Sequence, residues 1–288
     1  MSLHERETVR QVLLDNACRM SIDHQTEVEG WDPVKAGGDF VPAYIPYIGA
    51  DYFSPRTKAS RILAYALSQN VRKTDDFAVE WARDWKDGNG TVALDRQNQR
   101  AGWAAMHPFD TGHIPILASL LRSLVLGRKP RSDESIYREV AATNLSKFSF
   151  RSSNGKWTAD NYKSLHQCWD WFSRLEVEQL DPDFILCCGG RVYGIVREQA
   201  LSVSRKAVVI PVAFPSLRVI NRHYHSNRPL RAEHPRPPEL KECIAAVDLN
   251  RMVDHGLTIS QVVDRDKYYF AEMFVRMDHH HRDKAAGR

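Results

Sequence analysis

The chain has 288 residues, of which 43% are hydrophobic and 26% are charged, and its formal net charge is +4. This length supports a substantial buried core, and the composition is that of an ordinary globular protein, so general disorder is excluded. The small positive charge is a mild bias towards anionic partners and does not by itself identify one.

Hydrophobic spacing predicts helices and strands in alternation along the chain. Apolar residues recur at helical intervals in residues 1–28, 77–85, 114–126, 158–178, 191–201 and 239–277. Short, mostly apolar runs predict strands at 61–67, 139–144, 184–188 and 207–214. We therefore expect an α/β fold, a three-layer αβα sandwich around a mainly parallel sheet of about four strands. Residues 30–55, rich in Gly, Pro and aromatic residues, are predicted to be a loop over the core edge.

These elements divide the chain into three predicted regions. Residues 1–39 are an N-terminal helical and loop extension, 40–235 the α/β domain, and 236–288 a C-terminal helical extension. No internal repeat is visible, and nothing in the pattern indicates an oligomeric state.

Cysteine usage and the N-terminus predict a cytoplasmic protein. The five cysteines are an odd number and include the adjacent pair Cys187 and Cys188, with no C-x-x-C spacing. This argues against a disulfide framework and against a zinc ribbon. The N-terminal residues lack the apolar core of a secretory signal, and no apolar run approaches the roughly 18 residues that span a bilayer. We expect no membrane association.

Polar residues collect where three of the predicted strands end. They are Ser68, Gln69 and Asn70 after the first strand, Asn144 at the end of the second, and Ser216 after the fourth. Ligands bind at the carboxyl ends of strands in sheets of this kind, which favours a site there. The alternative is that these are ordinary polar loops, with Asn144 closing the turn after its strand.

Five segments, in this order, resemble motifs of the uracil-DNA glycosylase superfamily. The second of them, the predicted strand 61–67 with its polar end, resembles the family's first motif, in which a strand runs into a short loop that supplies the water-activating residue. Residues 46–53 are similar to a lead-in segment, and Thr143-Asn144-Leu145-Ser146-Lys147 is similar to a Thr-Asn-x-x-Lys motif. Residues 181–190 resemble a Pro-x-x-Ile strand that runs into Leu-Gly, and Phe214-Pro215-Ser216 stands in the place of His-Pro-Ser. The resemblance extends over roughly residues 40 to 225 and implies a uracil-DNA-glycosylase-like fold.

The resemblance implies a base-reading role for Asn144, and the chemistry of base excision supplies candidates for the other roles. Asn144 reads the edge of the flipped base, with Asp51, Tyr52 and Phe53 as further base-binding candidates. The candidates for water positioning and for stabilising the leaving base are Ser68, Gln69, Asn70, His223 and His225. The candidates for contact with double-stranded DNA are Lys147, Ser216, Leu217, Arg218 and Arg222.

Two departures from the family pattern point to an unusual target. Ala66 and Ser68 stand where the first motif has a Gly and an Asp or Asn, so this motif carries no carboxylate. Phe214 replaces the His of His-Pro-Ser and cannot donate a hydrogen bond to the leaving base. We therefore expect a hydrolase that excises a modified pyrimidine, in defence against viral modified DNA or in base-excision repair, without a metal or cofactor.

Three other functions are compatible with the sequence to different degrees. A catalytically silent member of the same fold would bind nucleic acid or a protein partner. A small-molecule enzyme with a dinucleotide site is favoured by Gly189-Gly190 and Gly194, although G-x-G-x-x-G is absent. A nucleophilic hydrolase is disfavoured because the chain has no G-x-S-x-G elbow.

Overall fold

A computed structural model of the chain describes residues 2–24, 45–67, 113–126, 134–147, 162–204, 206–213, 237–246 and 259–285. Within these ranges the helices are α1 (Ser2–His24), α2 (His113–Leu126), α3 (Tyr162–Cys168), α4 (Arg174–Leu180), α5 (Gly190–Val203), α6 (Pro237–Ala246) and α7 (Ile259–Ala285). The strands are β1 (Tyr47–Ile48), β2 (Ile62–Ala66), β3 (Val140–Asn144), β4 (Phe184–Cys188) and β5 (Val208–Val212).

The five strands form one mixed sheet in the order β1-β3-β2-β4-β5. Strands β3, β2, β4 and β5 are parallel, and the short β1 pairs antiparallel with β3. The predicted α/β class and mainly parallel sheet are confirmed, and the strand that the sequence did not predict is β1. Its two residues lie in the stretch that was predicted to be a loop.

The order of the strands creates a switch point between β2 and β4. From β2 the chain passes to β3 on one side, then returns across β2 to β4 and continues outward to β5. The connections that leave β2 and β4 therefore run to opposite sides of the sheet. In open α/β sheets this divergence leaves a crevice outside the carboxyl ends of the two strands, where ligands bind.

Alternating side chains build a separate core on each face of the sheet. On β2, Ile62 and Ala64 face a core shared with α2, α6 and α7, whereas Leu63 and Tyr65 face a core shared with α1, α3, α4 and α5. All five residues of β4 are buried, which explains its uninterrupted apolar sequence. Helices therefore cover both faces, as in a three-layer arrangement.

Both terminal helices take part in these cores. Val9 and Leu13 of α1, one helical turn apart, lie in the core on the α5 face. Tyr268, Tyr269 and Met273 of α7 have no exposed surface and lie in the opposite core. The two regions predicted as extensions thus contribute buried side chains to the α/β core.

A π-helical segment, Trp169–Ser173, interrupts the predicted helix at 158–178. Its backbone oxygens contact distant elements: the Trp171 oxygen accepts a hydrogen bond from Asn16 Nδ2 at 2.9 Å, and the Ser173 oxygen lies 3.3 Å from Tyr65 Oη. The widened turn therefore connects β2 and α1 to the helix that follows it. The helix predicted at 77–85 lies outside the described residues. None of the helices in the described ranges is long and apolar enough to cross a membrane.

Candidate functional site

The carboxyl ends of β2 and β3 are joined beyond the regular ladder. Ala66 pairs in register with Asn144. Past that pair, the N–H of Leu145 donates to the Ala66 oxygen at 2.8 Å, and the N–H of Ser146 donates to the Leu67 oxygen at 2.9 Å. Leu67 is the last described residue before the predicted catalytic residues Ser68, Gln69 and Asn70, which lie outside the described residues. The chain therefore enters that predicted loop from a point directly beside the Asn144 loop.

The ends of β4 and β5 are joined in the same way. The N–H of Gly189 donates to the Val212 oxygen at 2.9 Å. Gly189 has a φ of 104°, a conformation that L side chains rarely adopt, and the space where a Cβ would project is open. Ala213 is the last described residue before Phe214, so the predicted residues Ser216, Leu217, Arg218, Arg222, His223 and His225 lie outside the described ranges.

Asn144 occupies the carboxyl end of β3, and within the described ranges its side chain makes no contact that holds the turn. It is partly buried, and strand alternation places it on the face of the sheet that Val140 and Ala142 share. Backbone bonds from Leu145 and Ser146 already close the turn. Among the described residues, no hydrogen bond to the Asn144 amide is present, so the interpretation of Asn144 as a turn-closing cap has no support there.

Lys147 is placed differently from its prediction. Its side chain has no exposed surface, and its Nζ lies 2.5 Å from Glu176 Oε1 and 2.5 Å from Thr143 Oγ1. This corrects the prediction that Lys147 contacts a DNA phosphate, because a fully buried ammonium that is paired with a carboxylate has no access to one. Its ammonium lies in the interior, between Glu176 of α4 and Thr143, the residue that precedes Asn144.

Glu176 and Tyr65 complete a buried polar cluster around Lys147. Tyr65 Oη donates to Glu176 Oε2 at 3.0 Å, and its ring centroid is 5.9 Å from Lys147 Nζ. Burial raises the pKa of Glu176 and lowers the pKa of Lys147, while the charge of each partner acts in the opposite direction. Burial also raises the pKa of Tyr65, and the neighbouring carboxylate adds to that shift.

Glu176 was not identified from the sequence, although a signal for it exists. It lies four residues after Phe172 and four before Leu180, and both of these apolar side chains are buried. A carboxylate in the middle of an apolar helical stripe is costly unless it is paired. A carboxylate at that position therefore predicts a buried cation as its partner, and in the structure this partner is Lys147.

A second buried carboxylate holds the end of β5. Glu272 of α7 has no exposed surface, and its Oε1 and Oε2 lie 3.2 and 3.0 Å from the Ala213 nitrogen, which donates to them. Burial raises the pKa of Cys188 to about 12, and the charge of Glu272 adds to that shift. The C-terminal helix thus fixes the point from which the chain enters the Phe214-Pro215-Ser216 segment.

Asp51 lies at the opposite edge of the sheet from Asn144. Since β1 is antiparallel to β3, the chain leaving β1 runs towards the amino end of β3, where the N–H of Gly49 donates to the Val140 oxygen. A Cβ at Gly49 would collide with the Arg138 backbone, so only glycine allows this approach. Val140 precedes Asn144 by four residues, roughly 13 Å of strand. The prediction that Asp51 shares a base pocket with Asn144 is therefore wrong; its carboxylate instead accepts from Arg138 Nε at 2.7 Å.

Tyr52 and Phe53 belong to the core at that same amino edge. Tyr52 has no exposed surface, its hydroxyl donates to the Leu180 oxygen at 3.2 Å, and burial raises its pKa. Phe53 packs edge-on against Tyr52 at 5.0 Å between ring centroids, and the Arg61 guanidinium lies 5.1 Å from its centroid. These placements correct the prediction that the two rings stack on an extruded base, because both side chains are buried within the protein core.

The described ranges contain no group of three or more His, Cys, Asp or Glu side chains that could hold a metal ion. Comparison with models of known protein families finds none that matches this chain. A search of curated proteins also finds no match.

Proposed function

We propose that the protein is a DNA glycosylase with a uracil-DNA-glycosylase-like fold, which hydrolyses the N-glycosidic bond of a flipped, modified pyrimidine in double-stranded DNA. The observation that carries the proposal is the Asn144 amide, which stands at the carboxyl edge of the sheet and has no hydrogen bond to any residue in the described ranges. Because the described turn is closed by backbone bonds without this amide, we assign the amide to a ligand.

An asparagine suits the edge of a pyrimidine because its amide both donates and accepts. Two parallel hydrogen bonds to adjacent base atoms distinguish one base from another. The backbone of the loop is fixed by the bonds from Leu145 and Ser146 to β2, so the amide is presented from a rigid support. Rigid support for a base-reading group is what discrimination among bases requires.

The proposal places the rest of the site on loops that begin at the same edge. Ser68, Gln69 and Asn70 follow β2 and would position water, while His223 and His225 would stabilise the leaving base. Ser216 and Leu217 would enter the minor groove, and Arg218 and Arg222 would bind phosphates. Residues 205–236 hold seven Lys and Arg but a single acidic residue, Glu233, and this charge favours an anionic partner.

Ser68 and Phe214, which differ from the family's motif residues, are the reason that we propose a modified base as the target. Without a carboxylate at Ser68 and with Phe214 in place of a His, the groups associated with excision of plain uracil are altered. A modified pyrimidine of viral DNA is the target we propose, and defence against viruses the corresponding role. Base-excision repair of a cellular lesion is the other role that the same chemistry serves.

One observation favours a second candidate, a catalytically silent member of the same fold that binds nucleic acid or a protein partner. The two buried carboxylates found near the carboxyl edge, within the described part of the chain, are Glu176 and Glu272. Both are bonded to protein groups, Glu176 to Lys147 and Glu272 to the Ala213 N–H. Both carboxylates are thus engaged within the protein, and this favours a member of the fold without catalysis.

An abasic-site assay separates the two candidates. The purified protein is incubated with duplexes containing uracil or modified cytosines and with viral DNA carrying hypermodified bases, and strand breaks are then measured after alkali. The glycosylase proposal expects breaks at modified pyrimidines. DNA binding that weakens with salt, without breaks in any of these substrates, would establish the silent alternative.

A further inference from the structure

The side chain of Lys147 joins the two ends of the segment that carries Asn144. Thr143 precedes Asn144, and its Oγ1 accepts from Lys147 Nζ at 2.5 Å. The same ammonium is paired with Glu176 of α4 at 2.5 Å. The five residues from Thr143 to Lys147 are thus closed on themselves by one side-chain contact and anchored to a helix by another.

Glu176 is itself held in place. Its second carboxylate oxygen accepts from Tyr65 Oη at 3.0 Å, and Tyr65 belongs to β2, the neighbour of β3. The Tyr65 hydroxyl also lies 3.3 Å from the backbone oxygen of Ser173, at the end of the π-helical segment. The buried contacts among Lys147, Glu176 and Tyr65 therefore connect β2, β3 and α4 without reaching solvent.

The contact between Thr143 and Lys147 and the Asn144 amide lie on opposite faces of β3. Ala141 and Leu145 are in the core on the α5 face. Thr143 lies between them in the strand, two residues from each, and therefore faces the same side. Asn144 is on the other face, with Val140 and Ala142. A contact that holds Thr143 on one face therefore restrains the backbone from which the Asn144 side chain projects on the other.

Stability alone gives no reason for a charged pair in this position. Replacing a buried ion pair with apolar groups of similar size is often neutral or stabilising, because each charge loses its hydration on burial. A directional hydrogen bond to Thr143, in contrast, specifies one conformation of the loop. We propose that Lys147, Glu176 and Thr143 are positioning residues that orient the Asn144 amide for base recognition; this inference rests on the proposed function of Asn144.

Thr143 gives the sharpest test, because valine replaces its hydroxyl with a methyl group of similar size and serine retains the hydroxyl that accepts from Lys147. The first measurement is the side-chain amide NMR signal of Asn144 in protein labelled with ¹⁵N-asparagine, assigned by its disappearance in Asn144→Ala. We expect one sharp pair of signals in the wild type and in Thr143→Ser, and broadened or multiple signals in Thr143→Val. A single sharp pair in folded Thr143→Val overturns the inference, whether or not the protein excises a base.

The second measurement is the single-turnover rate of base release against DNA affinity. We expect Thr143→Val to lower the rate about tenfold with unchanged affinity, and Thr143→Ser to retain the rate. Glu139→Gln is the matched control, since Glu139 pairs with Arg122 at the amino end of β3 and should leave both the rate and the Asn144 signals unchanged. An unchanged rate in folded Thr143→Val contradicts the inference. A wild type that releases no base removes the proposed function instead, and the NMR result then decides the positioning by itself.

Discussion

The ammonium of Lys147 lies 2.5 Å from a carboxylate oxygen of Glu176, and the pair is enclosed between a strand end and a helix. Removing either partner leaves the other charge buried. We expect Lys147→Met or Glu176→Leu alone to lower the free energy of unfolding by about 3–5 kcal/mol. The double variant should lose much less, because no unpaired charge remains. Urea unfolding of the four proteins measures this coupling, and equal, additive losses would show that the two side chains do not interact.

The Glu272 carboxylate should stabilise the end of β5. Glu272→Leu leaves the buried N–H of Ala213 without its acceptor, and we expect a loss of about 1.5–3 kcal/mol in the free energy of unfolding. Glu272→Gln keeps an acceptor oxygen and should lose less. Urea unfolding distinguishes the two variants. If leucine and glutamine have the same effect, the hydrogen bond to Ala213 contributes nothing measurable.

Tyr52 should matter for stability and not for base release. Tyr52→Phe removes the hydrogen bond to the Leu180 oxygen but preserves the packing against Phe53, so we expect a loss of about 1 kcal/mol. The rate of base release should remain that of the wild type, because Tyr52 lies at the amino edge of the sheet. A folded Tyr52→Phe protein with a reduced rate of base release would show that Tyr52 takes part in the reaction.

Alkaline pH should destabilise the fold. Burial raises the pKa of Cys188 to about 12 from a usual 9.0, and it also raises the pKa values of Cys187 and Tyr65. A raised folded-state pKa means that the folded protein keeps protons that the unfolded chain releases. The contribution is fully present below about pH 9 and is lost as pH rises towards the folded value, by up to about 1.4 kcal/mol per pH unit for each proton.

Urea unfolding at several pH values between 7 and 11 tests this dependence. The free energy of unfolding should fall steadily above about pH 9, and Cys187→Ala with Cys188→Ala should reduce the slope. A stability that stays constant to pH 11 would mean that these groups titrate alike in the folded and unfolded protein.

The parallel strands were predictable because burial on both faces leaves a local signature. In β4 and β2, nearly every residue is apolar, and short apolar runs of this kind bounded by polar residues indicate central strands. The helices α2 and α5 were equally visible from their apolar spacing.

The strand β1 has no such signature in the sequence. Because it is not predicted, the direction of the chain that follows it is not predicted either. Two residues are too few for a pattern, and their pairing with β3 depends on Ala141 and Ala142, some ninety residues away in the chain. Without β1, the direction of residues 49–60 was unknown. The sequence therefore groups Asp51, Tyr52 and Phe53 with Asn144 as base-binding candidates, while the antiparallel pairing sends them to the amino edge.

Lys147 was misassigned for a related reason. A lysine in a loop after a strand is typical of a solvated surface, and its partner Glu176 belongs to a separate helix. Only the three-dimensional arrangement brings the two together. Asn144, in contrast, was identified correctly as a polar residue at the end of a strand, because parallel topology alone determines which edge that residue reaches.

We propose that Asn144, at the carboxyl edge, reads the base that the protein excises. The decisive measurement is mass spectrometry of the free base released from viral DNA with hypermodified pyrimidines, with wild type, Asn144→Ala and Tyr52→Phe compared at equal concentration. We expect release by the wild type and by Tyr52→Phe, and release slowed about ten- to a hundredfold in Asn144→Ala, which should remain folded. Release by Asn144→Ala at the wild-type rate, or no release by the wild type, would show that Asn144 does not read an excised base.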